Sequence, residues 1–347
     1  MKVVHAIRSD GFAGVERHVA RLARTQEASG HTVHVIGGAV GPMAGELAGS
    51  GVSVEPAATT VDVVRALRAQ PQHDVLHVHM TAAEVAATLA GVAAWRHRAP
   101  VVTTRHFARP RGTGPAGGAV AAVARARVRA QMSISAFVAD SVDGSSTVIH
   151  PGVDSQPDAA PARGREKVVL MAQRLAPEKA AEVGVRAFAA SGLRDDGWTL
   201  RVAGDGPLRS HLQQVAEEIG VADKVEWLGF RGDVPDLLRT SALLLAPCPV
   251  EGLGLSVLEA MAHGLPVVAA AAGGHVELLT GLCSPALTSD VLFPAGSAAR
   301  AGAALAALAA APEARDAYGA AAQARQRKGF TLEAQVAATD AVYRSVR

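Results

Sequence analysis

Short apolar runs alternate with amphipathic stretches along most of this chain. Residues 2–7 form the first run, and a glycine-bearing turn leads from it into a helical pattern over 15–29. Further runs stand at 32–36, 74–78, 100–104 and 146–149, with helical stretches at 82–95 and 119–131. Short apolar runs bounded by turn formers predict strands buried on both faces. Strands that alternate with helices predict right-handed crossovers and a parallel sheet. The pattern lapses at 151–165, where Pro151, Gly152, Pro157 and Pro161 predict a linker between domains.

The alternation then restarts. Strands are predicted at 167–171, 199–203, 225–228, 242–246 and 266–269, and helices at 178–190, 207–219, 234–239 and 256–263. Residues 298–347 read as wholly helical, and a last helix at 332–346 is predicted to cross back onto the first domain. The fold class is α/β, with two Rossmann-like parallel-sheet domains. The first takes residues 1–150 plus 331–347, and the second takes 151–330.

Composition narrows this picture. A chain of 347 residues is too long for one ordinary core. Aromatics are only 3%, so the cores must be built from Val, Leu, Ile and Ala, which suits buried parallel strands. The net charge of +2 gives no argument for nucleic-acid binding. Cys248 and Cys283 form no Cys-x-x-Cys pair and no disulfide framework, which points to a reducing, cytoplasmic setting. The run at 2–7 is too short for a signal-peptide core. The apolar stretch at 301–311 falls short of the ~20 residues a membrane span needs.

The strongest chemical signal is Glu251-Gly-Leu-Gly-Leu-Ser-Val-Leu-Glu259. It follows the strand at 242–246 and a break at Pro247-Cys248-Pro249. Gly252 and Gly254 precede a helix onset near Ser256, which places free backbone N–H groups at a helix N-terminus and makes an anion site. Ionised carboxylates at Glu251 and Glu259 suit paired sugar or ribose hydroxyls. A second signal is Ala172-Gln-Arg-Leu-Ala-Pro-Glu-Lys179, at the carboxyl end of the strand at 167–171. Arg174 and Lys179 there suit a diphosphate and can stabilise a departing nucleotide without a metal.

These segments resemble the E-x7-E and Gly-Arg-Leu-x-x-x-Lys-Gly motifs of retaining GT-B glycosyltransferases, glycosyltransferase family 4. Gln173 and Ala180 stand where that pattern has Gly, and Ala13 departs from its Gly-Gly-x-Glu turn. The resemblance implies two domains facing across a cleft. It implies that Glu251 contacts the donor sugar and Glu259 the nucleotide ribose, with Gly254, Leu255 and Ser256 reaching sugar and phosphate. It places Gly14 and Gly204 on donor-side turns, Arg231 at the nucleotide, and His106 against the donor sugar. His106, Arg174, Lys179 and Glu251 are the expected catalytic group.

The implied reaction is transfer of a hexose-type sugar, with retention, from a UDP or GDP sugar to an acceptor hydroxyl. Closure about 151–165 would exclude water from it. No cofactor and no metal are expected; His77-Val-His79 supplies two imidazoles and no evident third ligand, so both read as packing or acceptor-facing. The expected acceptor is a small molecule, an oligosaccharide or a lipid, in antibiotic or cell-surface glycan biosynthesis. Arg105, Arg109, Arg111, Arg125, Arg127 and Arg129, with Trp95, Arg96 and Arg98 nearby, read as a solvated basic region, or as a contact for an anionic acceptor or membrane.

Three rivals remain. A nucleotide-sugar 2-epimerase would share the fold and need no acceptor. A non-catalytic sugar-binding protein would not need the intact cation and acidic pairs. An NAD-dependent oxidoreductase would need Gly-x-Gly-x-x-Gly after the first strand and an acidic residue ending the second. Gly11-Phe-Ala-Gly14 and Gly37-Gly38 supply neither.

Overall fold

The computed structural model describes residues 1–92, 99–112, 117–282 and 291–347. Trp95, Arg96, Arg98 and Cys283 lie outside the described residues. The chain divides into two units, Met1–Gly152 with Thr331–Arg347, and Val153–Phe330.

The first unit is built on seven strands: β1 (Lys2–Ile7), β2 (Thr32–Ile36), β3 (Ser53–Glu55), β4 (Val75–His79), β5 (Val101–Arg105), β6 (Val128–Ser133) and β7 (Thr147–Val148). They pair in parallel in the order β3-β2-β1-β4-β5-β6-β7. The order reverses between β1 and β4, so the ligand side of this sheet is the carboxyl end of those strands. Helix Gly14–Ala28 buries Val19, Ala20 and Ala23 against Val33, Val35 and Met43. Helix Thr60–Ala69 starts at a reciprocal cap, with Thr59 Oγ1 accepting from the Asp62 amide and Asp62 accepting from the Thr59 amide. Its Val63, Ala66 and Leu67 pack with Leu76, Val78 and the small residues Ala83, Ala86, Ala87 and Ala90. Each fully buried Val or Leu side chain here contributes about 1.5–3 kcal/mol. The terminal helix Leu332–Val346 belongs to this unit. Its Tyr343 is fully buried among Val3, Val75, Val102 and Met132.

The second unit has six strands: β8 (Glu166–Ala172), β9 (Thr199–Ala203), β10 (Val225–Gly229), β11 (Ser241–Ala246), β12 (Val267–Ala270) and β13 (Leu292–Phe293). They too are parallel, in the order β10-β9-β8-β11-β12-β13. Here the order reverses between β8 and β11. β11 is buried along its whole length, as its unbroken apolar run requires.

Several elements differ from their sequence reading. The helix expected over 119–131 spans Gly117–Arg125, and Val128–Ser133 is strand β6 beside β5. Alanines fit either element, and the pairing with β5 decides. The helix expected from 178 begins as a 3-10 turn, Pro177–Lys179, and then breaks at Ala180 before Ala181–Ala190. Strands β3 and β13 are too short and too partly buried to register as apolar runs.

Candidate functional site

The second unit concentrates its polar chemistry where its strand order reverses. β8 runs into Gln173-Arg174-Leu175-Ala176 and the turn that carries Lys179. β11 runs into the loop that carries Glu251. Because β8 and β11 are neighbours, the two loops leave the sheet side by side. Lys179 Nζ donates to Glu251 Oε2 at 2.5 Å, and both side chains keep about a fifth of their surface exposed, at 21% and 23%. Burial raises the Glu251 carboxyl, but the Lys179 ammonium outweighs it and the net shift is downward. Glu251 is therefore held as a carboxylate.

The loop that carries Lys179 is anchored on both sides. Gln173 Nε2 donates to the Lys179 carbonyl at 3.0 Å, and the Cys248 thiol donates to the Glu178 carbonyl at 3.3 Å. Burial and the Glu251 charge push that thiol up to about 11, so Cys248 is a structural donor and no nucleophile. Ala180 follows in the left-handed region at φ 48°. It occupies the position where the motif has Gly, and the backbone shows why a Gly suits it.

Helix Leu255–Ala262 starts at Gly254, whose φ of 102° and lack of side chain leave the first-turn amides without a capping partner from that residue. Val257, Leu258 and Ala260 are buried, while Leu255, Ser256 and Glu259 lie half-exposed on one side. A Cβ on Gly254 would stand 2.9 Å from the His275 ring, so Gly254 also makes room for that imidazole.

His275 is a residue that the sequence reading missed. It follows β12, is buried, and engages the Ala270 carbonyl through Nδ1 at 3.2 Å. Burial lowers it, against the pull of Glu251. Gly273 and Gly274 bring its loop onto the Glu251 backbone, where Gly274 N donates to the Glu251 carbonyl at 3.0 Å. A Cβ on Gly273 would meet that carbonyl oxygen at 2.1 Å. The signal available was a double Gly after a strand and before a helix; the alanine run at 269–272 blurred the strand's end.

The other expected residues are placed less centrally. Arg174 is exposed and pairs with Glu178 at 2.8 Å on its own loop. Arg231 is held by both oxygens of Asp233 beside the edge strand β10. A Cβ on Gly204 would stand 1.9 Å from the Gln173 carbonyl oxygen. Gly204 thus lets the loops after β8 and β9 touch.

In the first unit, Gly14 opens helix Gly14–Ala28 after β1, and Glu16 accepts from the Ala13 amide at 2.9 Å. His106 sits just past β5 and is buried with His5, His18, His77 and His79. Burial is the largest cause lowering all five imidazoles, to about 4 for His5 and about 3 for His18, so they are neutral at pH 7. Among the described residues, His5–His77–His79 and His18–His79–His106 each bring three nitrogens within 4.8 Å, near enough to consider a metal. Both nitrogens of His5, His77 and His79 already have hydrogen-bond partners, so that triplet is satisfied without an ion. His77 and His79 point into this packed network.

The basic region is not one solvated face. Arg111 is buried and clamps Glu84 with two hydrogen bonds of 2.6 Å, and it reaches Asp143 at 2.9 Å. Arg105 is buried beside the same Asp143. Arg127 is half-buried and donates to the Ala87 carbonyl. Arg109, Arg125 and Arg129 are exposed. Packing thus withdraws Arg105 and Arg111 from any surface contact. No helix among the described residues is long and apolar enough to cross a membrane.

Comparison with known proteins identifies the family. A family model described as glycosyl transferases group 1 matches residues 153–325, and one described as Glycosyltransferase Family 4 matches residues 12–156. The D-inositol 3-phosphate glycosyltransferase of Salinispora tropica is 31% identical over 296 residues, covering 70% of this chain and 59% of that protein. The lipopolysaccharide core mannosyltransferase LpsB of Rhizobium meliloti is 36% identical over 154 residues, covering 43% of each. The chain thus spans about half the length of these curated relatives. Among solved structures, Anabaena HepE in complex with UDP-glucose superposes with a TM-score of 0.81 at 20% identity, covering 99% of this chain and 100% of that one.

Proposed function

This chain belongs to the glycosyl transferases group 1, glycosyltransferase family 4, and from that premise we propose that it moves a hexose-type sugar from a nucleoside diphosphate sugar to an acceptor hydroxyl. Its fold is the GT-B architecture, with a parallel α/β sheet in each unit. The proposed reaction retains configuration and uses no metal or cofactor.

The observation that carries this reading is the meeting of Lys179 and Glu251 at the strand-order reversal of the second unit. An ammonium there offers three donors to a diphosphate, and the first-turn amides of helix Leu255–Ala262 offer more. In the proposed complex, phosphate oxygens share or replace Glu251 as the partner of Lys179. The freed carboxylate then accepts from sugar hydroxyls. Arg174 adds positive charge once it leaves Glu178. Glu259, one turn along the helix from Leu255 and Ser256, accepts from ribose hydroxyls. Charge that develops on the departing nucleotide is met by fixed cations and dipoles, which is how such a site accelerates sugar transfer.

The relatives support two finer readings. Anabaena HepE was solved with UDP-glucose, which supports a UDP sugar as the first donor to test. LpsB is a lipopolysaccharide core mannosyltransferase, which supports a mannosyl donor and a cell-surface glycan or glycolipid acceptor.

A panel of UDP and GDP sugars read by thermal shift tests the donor. A ligand at 100 times its Kd stabilises the fold by about 2.7 kcal/mol. No shift with any of them would sink the assignment. With a turning-over pair, the anomeric configuration of the product, read by NMR, decides retention. Conversion of a donor with no acceptor present would point to the epimerase instead.

A further inference from the structure

Four of the five buried imidazoles of the first unit, His5, His77, His79 and His106, are joined by hydrogen bonds with a direction, and His18 packs edge-on against His79 and His106. His5 on β1 lies in register with His77 on β4, and His79 lies in register with Thr104 on β5. His77 and His79 are two apart, as are Thr104 and His106, so these side chains share one face of the sheet. On that face, His5 Nε2 meets Gln26 Oε1 at 2.7 Å, His5 Nδ1 meets His79 Nε2 at 3.1 Å, and His79 Nδ1 meets His106 Nε2 at 3.1 Å. Gln26 Nε2 donates to the Tyr343 hydroxyl at 3.2 Å, and Tyr343 meets His77 Nδ1 at 2.7 Å. His77 Nε2 meets Thr104 Oγ1 at 2.7 Å.

A neutral imidazole has one donor and one acceptor nitrogen, so one end of such a line sets every member. Gln26 Oε1 can only accept, so His5 carries its proton on Nε2. His5 Nδ1 then accepts from His79 Nε2–H. His79 Nδ1 accepts in turn from His106 Nε2–H. His106 Nδ1 is left as a lone pair, and it has no hydrogen-bond partner among the described residues. The branch through Tyr343 is consistent: its hydroxyl accepts from Gln26 and donates to His77 Nδ1, and His77 Nε2–H donates to Thr104. Burial keeps the members neutral, and an imidazolium in the line would break the alternation.

We propose that Gln26, His5 and His79 are positioning residues that fix His106 as its Nε2–H tautomer, so that His106 offers Nδ1 as a hydrogen-bond acceptor to a substrate hydroxyl. The substrate half of this statement rests on the glycosyltransferase reading. The tautomer half rests on the first unit alone. His106 follows the carboxyl end of β5, which is the ligand side of its sheet. The site therefore favours a ligand that donates at this point and disfavours an isostere that can only accept.

The test is side-chain 15N NMR of the full-length protein labelled at histidine. The wild type should show His106 as the Nε2–H tautomer. Gln26→Leu removes the group that sets the direction, and His106 should then exchange between both tautomers. Tyr343→Phe frees the Gln26 amide to turn, and should mix the tautomers in the same way if Gln26→Leu fails to fold. Each should lower kcat/KM about 10-fold, the scale of one lost hydrogen bond. An Nδ1–H tautomer in the wild type, which the reversed Gln26 amide would impose, overturns the proposal. So does a single Nε2–H tautomer that survives both substitutions. Absence of both donor binding and turnover in the wild type overturns the substrate half through the glycosyltransferase reading, and the spectra distinguish that failure from failure of the relay.

Discussion

Lys179 and Glu251, 72 positions apart in the chain, share a 2.5 Å ion pair across the loops that follow β8 and β11. The pairing is a consequence of strand order. β9 and β10 lie on one side of β8, and β11, β12 and β13 on the other. The loops after β8 and β11 therefore leave the sheet side by side at its strand-order reversal, where ligands bind in open parallel sheets, and one carries a cation and the other a carboxylate. The pair holds Glu251 as a carboxylate and sets it beside an amine that can turn to a ligand bearing phosphate and hydroxyl groups.

Lys179→Met should reduce kcat/KM for a nucleoside diphosphate sugar by about 100-fold or more, on the scale of losing one strong transition-state donor. It should also raise the Glu251 carboxyl, which loses its cation. Arg174→Ala should act mainly on kcat. Steady-state kinetics with the fold checked by circular dichroism would show this, and unchanged turnover in both variants would remove the phosphate role.

Ala180→Gly should leave the protein equally stable or slightly more stable. A left-handed Ala costs roughly 1–2 kcal/mol, and a Gly gives back about 0.4–1 kcal/mol through the unfolded chain. The expected gain is about 0.5 kcal/mol in urea unfolding. A loss above about 1 kcal/mol would show that Ala180 is not strained in this turn.

Arg111→Met should destabilise the first unit by about 3–5 kcal/mol, because Glu84 would remain buried with Thr103 as its remaining side-chain partner. Arg111→Met combined with Glu84→Leu should recover much of that loss. Equal stability of the single variant and the wild type in denaturant would contradict the ion-pair account.

Acid should weaken the first unit well before its carboxylates titrate. His5 and His18 are lowered to about 4 and about 3, mainly by burial, whereas unfolded imidazoles protonate near 6.5. Between 6.5 and 4 the unfolded chain binds more protons, so stability is full above pH 6.5 and falls as pH drops through this window. Each buried imidazole costs about 1.4 kcal/mol at pH 5.5, so these two alone cost about 3 kcal/mol. Thermal midpoints from pH 7.5 to 5.5 measure it. A flat profile would mean that the cluster opens to water in the native state.

The sequence by itself determined the alternation of strand and helix, the two-unit α/β class, the loops that carry Lys179 and Glu251, and the helix that carries Glu259. These are local properties: apolar runs of strand length, glycines before a helix, and charges at fixed spacing. Tertiary structure decided what no local pattern contains. Strand order put Lys179 against Glu251, while Arg174 and Arg231 found acidic partners on their own loops. It packed the loop of His275 against Gly254. It turned an apparent basic surface into a buried cluster around Glu84 and Asp143. Four histidines, His5, His77, His79 and His106, became one neutral hydrogen-bonded network, with His18 packed against it, only because β1, β4 and β5 are neighbours beneath helix Gly14–Ala28 and Tyr343. Burial and hydrogen-bond direction depend on which strands sit side by side, and that is a property of the folded sheet.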